Sequence, residues 1–113
     1  YIEVGGKAVR IRTGWDRHWG TRAYFDGHPF LTADGAQALA GRGAALVGID
    51  SLNIDDTEDL TRPVHSILLG AGIPICEHLC RLGELPAAGF RFFAVPVKVR
   101  RMGSFPVRAF ALV

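Results

Sequence analysis

Polar and apolar residues first alternate over Lys7 to Thr13, where Ala8 or Val9, Ile11 and Thr13 interleave with Arg10 and Arg12. A period of two predicts a half-buried strand there, and Gly14 ends it. From Trp15 to Phe30 no period is sustained; Gly20, Gly27 and Pro29 punctuate a stretch dense in Trp, Tyr, Phe and His. Unpatterned segments of that length are commonly functional, and the aromatic content predicts an ordered covering loop. Thr32 suits a helix N-cap and Asp34 suits the positive end of the helix dipole, so a helix is expected through Ala36, Leu39 and Ala40, ending near Gly41 to Gly43. The apolar run ALVGI follows at once and reaches Asp50, which reads as a buried strand with a carboxylate at its C-terminal end.

Ser51 to Arg62 is a polar, acidic loop, after which Pro63 opens a short helix carrying His65, Ile67, Leu68 and Leu69 and closed by Gly70 or Gly72. Ile73 to Cys76 is a further apolar segment, and EHLCRL is expected to continue it as one or two helical turns before the turn at Leu85 and Pro86. Phe90 to Val99 and Phe105 to Val113 are β-rich runs separated by RRMGS, the pattern of an antiparallel pair. Pro96 and Pro106 confine parts of these runs to edges or bulges. Helix followed by buried strand makes an α/β unit, and such folds place ligands at the C-terminal ends of strands.

A chain of 113 residues supports one domain, spanning 1–113, and its 49% hydrophobic content excludes general disorder. Its apolar stretches fall far short of the roughly 20 residues of a membrane span. A formal charge of +2 is too small to imply nucleic acid or an anionic membrane as partner. Five acids lie between Asp50 and Asp59, and Arg91, Lys98, Arg100, Arg101 and Arg108 have no acid among them; solvated loops account for both clusters. Cys76 and Cys80 offer no disulfide framework and are expected as reduced core thiols of a cytoplasmic protein. No signal-peptide pattern opens the chain, and without an initiator Met, Tyr1 is not expected to be the natural start.

Four histidines are present, and only a companion distinguishes a ligand from a packed side chain. His65 and Glu77 both follow helix-opening signals, from which an imidazole and a carboxylate could enter one crevice as ligands to zinc or manganese. Read from these residues alone, a capping Glu77 and a packed His65 are favoured over that pair. Asp50 is placed to accept hydrogen bonds from loop amides or to orient His65. Asp55 and Asp56 read as a solvated turn. Trp15, Trp19, Tyr24, Phe25 and His28 either line an aromatic substrate pocket or pack on the domain's own core. Cys76, Glu77, His78 and Cys80 lack the second ligand pair of a structural zinc site, and no GxSxG, Walker A or GxGxxG motif occurs.

Taken in order, RTGW, HPFL, LVGIDSLNID, RPVHSILLGAGIPICEHL, LGELP and FRFFAVPVKVRRMGSFPVRAFAL resemble the C-terminal half of the metal-dependent cyclase family, which includes bacterial kynurenine formamidases and isatin hydrolases. The resemblance implies a swivelling β/β/α fold, a mixed barrel-like sheet with outer helices whose N-terminal part is absent from this chain. It implies a hydrolase of an amide-type C–N bond, linear in formylkynurenine or cyclic in isatin, with a divalent metal, zinc or manganese, activating water. In formamidase-like members the His of the PVH segment and a Glu twelve residues later ligate the metal, which here are His65 and Glu77. The resemblance thus reverses the preference drawn from the residues alone. The family's HxGTHxDxP segment, which supplies the other ligands and precedes the catalytic histidine, is not found in these residues, so no catalytic residue is assigned. The expectation is half of a longer hydrolase domain, completed by its N-terminal half and associating as a homo-oligomer. The rival reading is a non-catalytic interaction module that keeps the fold and binds through the aromatic loop around Trp15.

Overall fold

A computed structural model describes residues 3–113. The chain divides into two compact units, residues 1–82 and 83–113. In the first, strands β1 (Ala8–Ile11), β2 (Leu46–Ile49) and β3 (Ile75–Cys76) form a parallel sheet in the order β1-β2-β3. Val47 lies opposite Val9 on one side and Ile75 on the other, so β2 is central. Parallel neighbours require crossovers, which helices α1 (Ala33–Gly41) and α2 (Pro63–Gly70) provide. Two crossovers of the same hand stepping in one direction bring both helices to one face, and α1 and α2 pack against each other there.

Local chemistry explains the helix boundaries. Thr32 accepts a hydrogen bond from the Gly35 amide at 3.1 Å, as expected of an N-cap. Pro63 stands in the first turn of α2, where its missing N–H costs nothing. Preceding it, Arg62 is left-handed (φ 49°) and its side chain caps nothing. Period two along β2 sends Val47 and Ile49 into the core with Val64 and Leu68 of α2, Ala36 of α1 and Ile54, all fully buried. On the other face Gly48 leaves room for Leu79: a Cβ there would meet the leucine's Cδ1 at 2.6 Å.

The expected helical turns over EHLCRL are not formed. His78 and Arg81 are left-handed (φ 59° and 58°), a conformation that interrupts a helix. Instead the amides of His78 and Leu79 donate to the carbonyls of Ser51 and Ile49, so the segment is tied to the C-terminal end of β2. Only a short 3-10 turn at Leu82–Glu84 follows. The aromatic segment is ordered by two further 3-10 turns, Trp15–His18 and Arg22–Phe25.

The second unit is an antiparallel pair, β4 (Arg91–Val95) and β5 (Arg108–Leu112). Both strands are shorter than the apolar runs that predict them, because Pro96 and the segment through Pro106 lie outside the ladder. Phe93 stacks on Phe110 across the pair, with ring centres 4.9 Å apart. Parallel and antiparallel sheets make this a mixed α/β chain. Among the described residues no helix is long and apolar enough to cross a membrane.

Adjacent leucines on α2 test where the core lies, since Leu68 is fully buried and Leu69 is 55% exposed. Leu68→Ala is expected to cost about 2–5 kcal/mol and Leu69→Ala less than about 0.5 kcal/mol, read by urea unfolding. Equal losses would contradict the packing of α2.

Candidate metal centre

Asp50 and Glu77 follow the C-terminal ends of β2 and β3, His65 stands in the first turn of α2, and Asp55 lies in the loop between β2 and α2. Beyond β2, Asp50 turns back toward β1: Oδ1 accepts from the Thr13 amide (2.8 Å) and hydroxyl, and Oδ2 accepts from the Gly14 amide (2.9 Å). Of the two roles foreseen for Asp50, accepting from loop amides is the one adopted. It does not touch His65.

Asp55 holds that place instead. The solvated-turn reading fails for this residue, because Asp55 is only 2% exposed. Its Oδ1 accepts from the Val64 amide (2.8 Å), and its Oδ2 accepts from the His65 amide (2.9 Å) and from Nδ1 of the His65 ring (2.8 Å). Burial alone would raise this carboxyl's pKa, but the His65 and Val64 amides and the His65 ring outweigh it and hold the group below its ordinary value. The sequence signal was an absence: Arg62 occupies the position before Pro63 where Ser, Thr or Asp usually caps, so the cap had to come from elsewhere.

Glu77 follows β3. Its Oε2 accepts from the Ile54 amide at 2.7 Å and lies 3.4 Å from Nε2 of His65. That separation is longer than a good hydrogen bond, about 2.7–3.2 Å. It matches a shared ion, since a tetrahedral cation ~2.1 Å from each of two donors sets them about 3.4 Å apart. His65 and Glu77 therefore fit as two members of a metal set. Among the described residues no group of three or more His, Cys, Asp or Glu side chains converges on one point.

The aromatic candidates meet one another. Trp15 donates from Nε1 to the Tyr24 carbonyl at 2.9 Å, and Phe25 stands edge-on to Tyr24 while remaining 67% exposed. Tyr24 is buried, and its hydroxyl lies 3.0 Å from Nδ1 of His78. Burial, then the carboxylates of Asp50, Asp16 and Glu77, raise the phenol's pKa and keep it protonated. His28 is buried, with Nδ1 on the Pro29 carbonyl at 3.0 Å. Among the described residues no hydrogen bond joins Trp15 or His28 to His65 or Glu77. Cys76 is buried, and desolvation helped by Glu77 pushes its thiol up. Cys80 is exposed rather than a core thiol, because a spacing of four shares a face only on a helix.

Residues 3–56 match the family described as "Putative cyclase". The kynurenine formamidase of Paracidovorax citrulli is 33% identical over 67% of this chain and 35% of its own length. The isatin hydrolase of Roseibium aggregatum is 32% identical over 98% of this chain and 47% of its own. A crystal structure of an isatin hydrolase bound to the product analogue thioisatinate superposes with a TM-score of 0.87 at 28% identity, covering 98% of this chain and 47% of that one. The chain belongs to the cyclase family. It spans about a third to a half of the length of these curated relatives. A second solved cyclase relative, described as a potential metal-dependent hydrolase with cyclase activity, has a TM-score of 0.63 at 28% identity over 88% of this chain and 56% of that one.

The lowered pKa of Asp55 gives a pH dependence whose sign follows from linkage. Its stabilisation is fully present above the unfolded carboxyl value, about 3.9, and is lost as pH falls through the lower folded value. Acid unfolding followed by far-UV circular dichroism should therefore show a shallower loss of stability below about pH 4 in Asp55→Asn than in the parent. Identical acid limbs would remove Asp55 as a contributor.

Proposed function

We propose that this chain supplies His65 and Glu77 to the metal centre of a hydrolase that opens an amide-type C–N bond. The substrate is an N-formyl aromatic amine such as formylkynurenine or a small cyclic amide such as isatin. The observation that carries the reading is the 3.4 Å approach of His65 Nε2 to Glu77 Oε2, each side chain anchored from behind. Relatives named kynurenine formamidase and isatin hydrolase support the reaction class.

When bound, a divalent ion supplies Lewis acidity, polarising a carbonyl and making hydroxide available near neutral pH. His65 and Glu77 would hold it, zinc and manganese both accepting an imidazole with a carboxylate. The Ile54 amide fixes one oxygen of Glu77, which limits the positions the carboxylate can take. Side-chain exposures of 12% for His65 and 23% for Glu77 leave the pair reachable by a small molecule while shielding it from bulk water. Catalytic zinc ordinarily takes three protein ligands, so the remaining donors come from an HxGTHxDxP segment of the N-terminal half of the same domain. Assembly as a homo-oligomer in the cytoplasm completes the proposal; Val95 and Leu112, each about half exposed, offer apolar surface for association.

A second reading, a non-catalytic module retaining the cyclase fold, is favoured by the two-donor count among the described residues. Metal analysis separates the two. His65→Ala and Glu77→Ala are each expected to weaken zinc or manganese binding by more than the roughly 10–100-fold typical of losing an outer partner, and to abolish hydrolysis of N-formylkynurenine and isatin. Unchanged metal content in both variants would overturn the hydrolase reading.

A further inference from the structure

The Nδ1 contact of His65 determines what its other nitrogen can do. An ionised carboxylate only accepts hydrogen bonds, and a neutral imidazole carries one N–H and one bare lone pair. Asp55, held ionised by three N–H donors, therefore requires the ring hydrogen on Nδ1. In the neutral ring Nε2 is then left bare, and the atom facing it at 3.4 Å is Oε2 of Glu77, itself an acceptor that takes the Ile54 amide. Two lone pairs thus face each other across a gap too long for a good hydrogen bond. Such a pairing is repulsive unless a proton or a metal ion lies between the two atoms, and 3.4 Å is long for the bond a proton would make but fits two donors on one metal ion.

We propose that Asp55 is the positioning residue of this centre: its carboxylate selects the Nδ1-protonated tautomer of His65 and locks the ring so that the Nε2 lone pair meets Glu77 across a divalent cation. The inference rests on the reading that His65 and Glu77 hold that ion. The same carboxylate caps the first turn of α2, so the direction of the ring and the start of the helix are set together. An amide in place of the carboxylate has nearly the same shape but can turn its NH2 toward Nδ1. The ring hydrogen would then move to Nε2, where it blocks coordination. This is the effect of the Asp-to-Asn change in the serine-protease triad, which preserves geometry and presents the wrong tautomer.

The test uses the full chain with Zn2+ as the only ligand. Long-range 1H–15N spectra of the metal-free parent at pH about 8, above the ordinary imidazole range, should show His65 protonated on Nδ1. An Nε2-protonated ring there overturns the positioning role without recourse to any variant. Asp55→Asn should bind Zn2+ about 10–100-fold more weakly and show the opposite tautomer. Thr32→Ala, which strips the cap from α1, controls for a merely structural loss and should keep the parent affinity. Parent-like Zn2+ affinity in Asp55→Asn, with His65→Ala impaired, overturns the role of Asp55 alone. Undiminished binding in His65→Ala overturns the metal reading itself, which the tautomer measurement in the parent does not depend on.

Discussion

A buried carboxylate with three donors organises the first unit of this chain. Removing Asp55 from water is costly unless its oxygens are fully engaged, and the amides of Val64 and His65 with the His65 ring engage them. Hydrogen bonds to a charged group contribute about 1.5–3 kcal/mol each, enough to offset burial when all are made together. Two of the donors belong to the first turn of α2, where the partial positive charge of the helix dipole also favours an anion. The loop from Ser51 to Arg62 has no repeating structure of its own, and this contact is what attaches it to the helix it precedes. Arg62 can then adopt its left-handed conformation without leaving the helix uncapped.

Parallel pairing of β2 and β3 extends that constraint to Glu77. Neighbouring strands run about 4.8 Å apart, so chain leaving the C-terminal ends of both enters the same region. Ile54, four residues beyond Asp50, buries its side chain in the core and donates its amide to Glu77. Asp55, the next residue, holds His65. Consecutive residues of one loop therefore fix the carboxylate and the imidazole separately. A loop that anchors both candidate ligands is positioned here by the C-terminal ends of the strands, the place where open α/β folds gather ligands.

Much of this was legible in the sequence because the signals are local. The alternation around Val9 and Ile11, the hydroxyl of Thr32, the apolar run into Asp50 and Pro63 before an apolar helix each act within a few residues, and each marks an element that forms. Where partners are distant, local reading fails. Asp50 ends an apolar run and Asp55 lies in the polar stretch after it, but neither setting tells that Asp50 binds Thr13 and Gly14 while Asp55 binds His65. EHLCRL has ordinary helical composition, yet the carbonyls of Ile49 and Ser51, some thirty residues earlier in the chain, take its amides and draw it along the sheet. The His65 and Glu77 pairing was reached through the resemblance rather than through periodicity, since a spacing of twelve across a helix and a strand has no periodic signature.

Each half of this pair is tied from behind, and that has a thermodynamic consequence. A flexible His or Glu loses rotamer freedom when it coordinates an ion, and that entropy opposes binding. Here the Nδ1 bond holds the imidazole and the Ile54 amide holds the carboxylate within the fold itself, ahead of the ion proposed for this pair. Less freedom remains to be lost, which is the general advantage of preorganisation. Asp55 stabilises the helix start at the same time as it orients the ring, so that one buried carboxylate serves both the stability of α2 and the placement of the imidazole at its N-terminus.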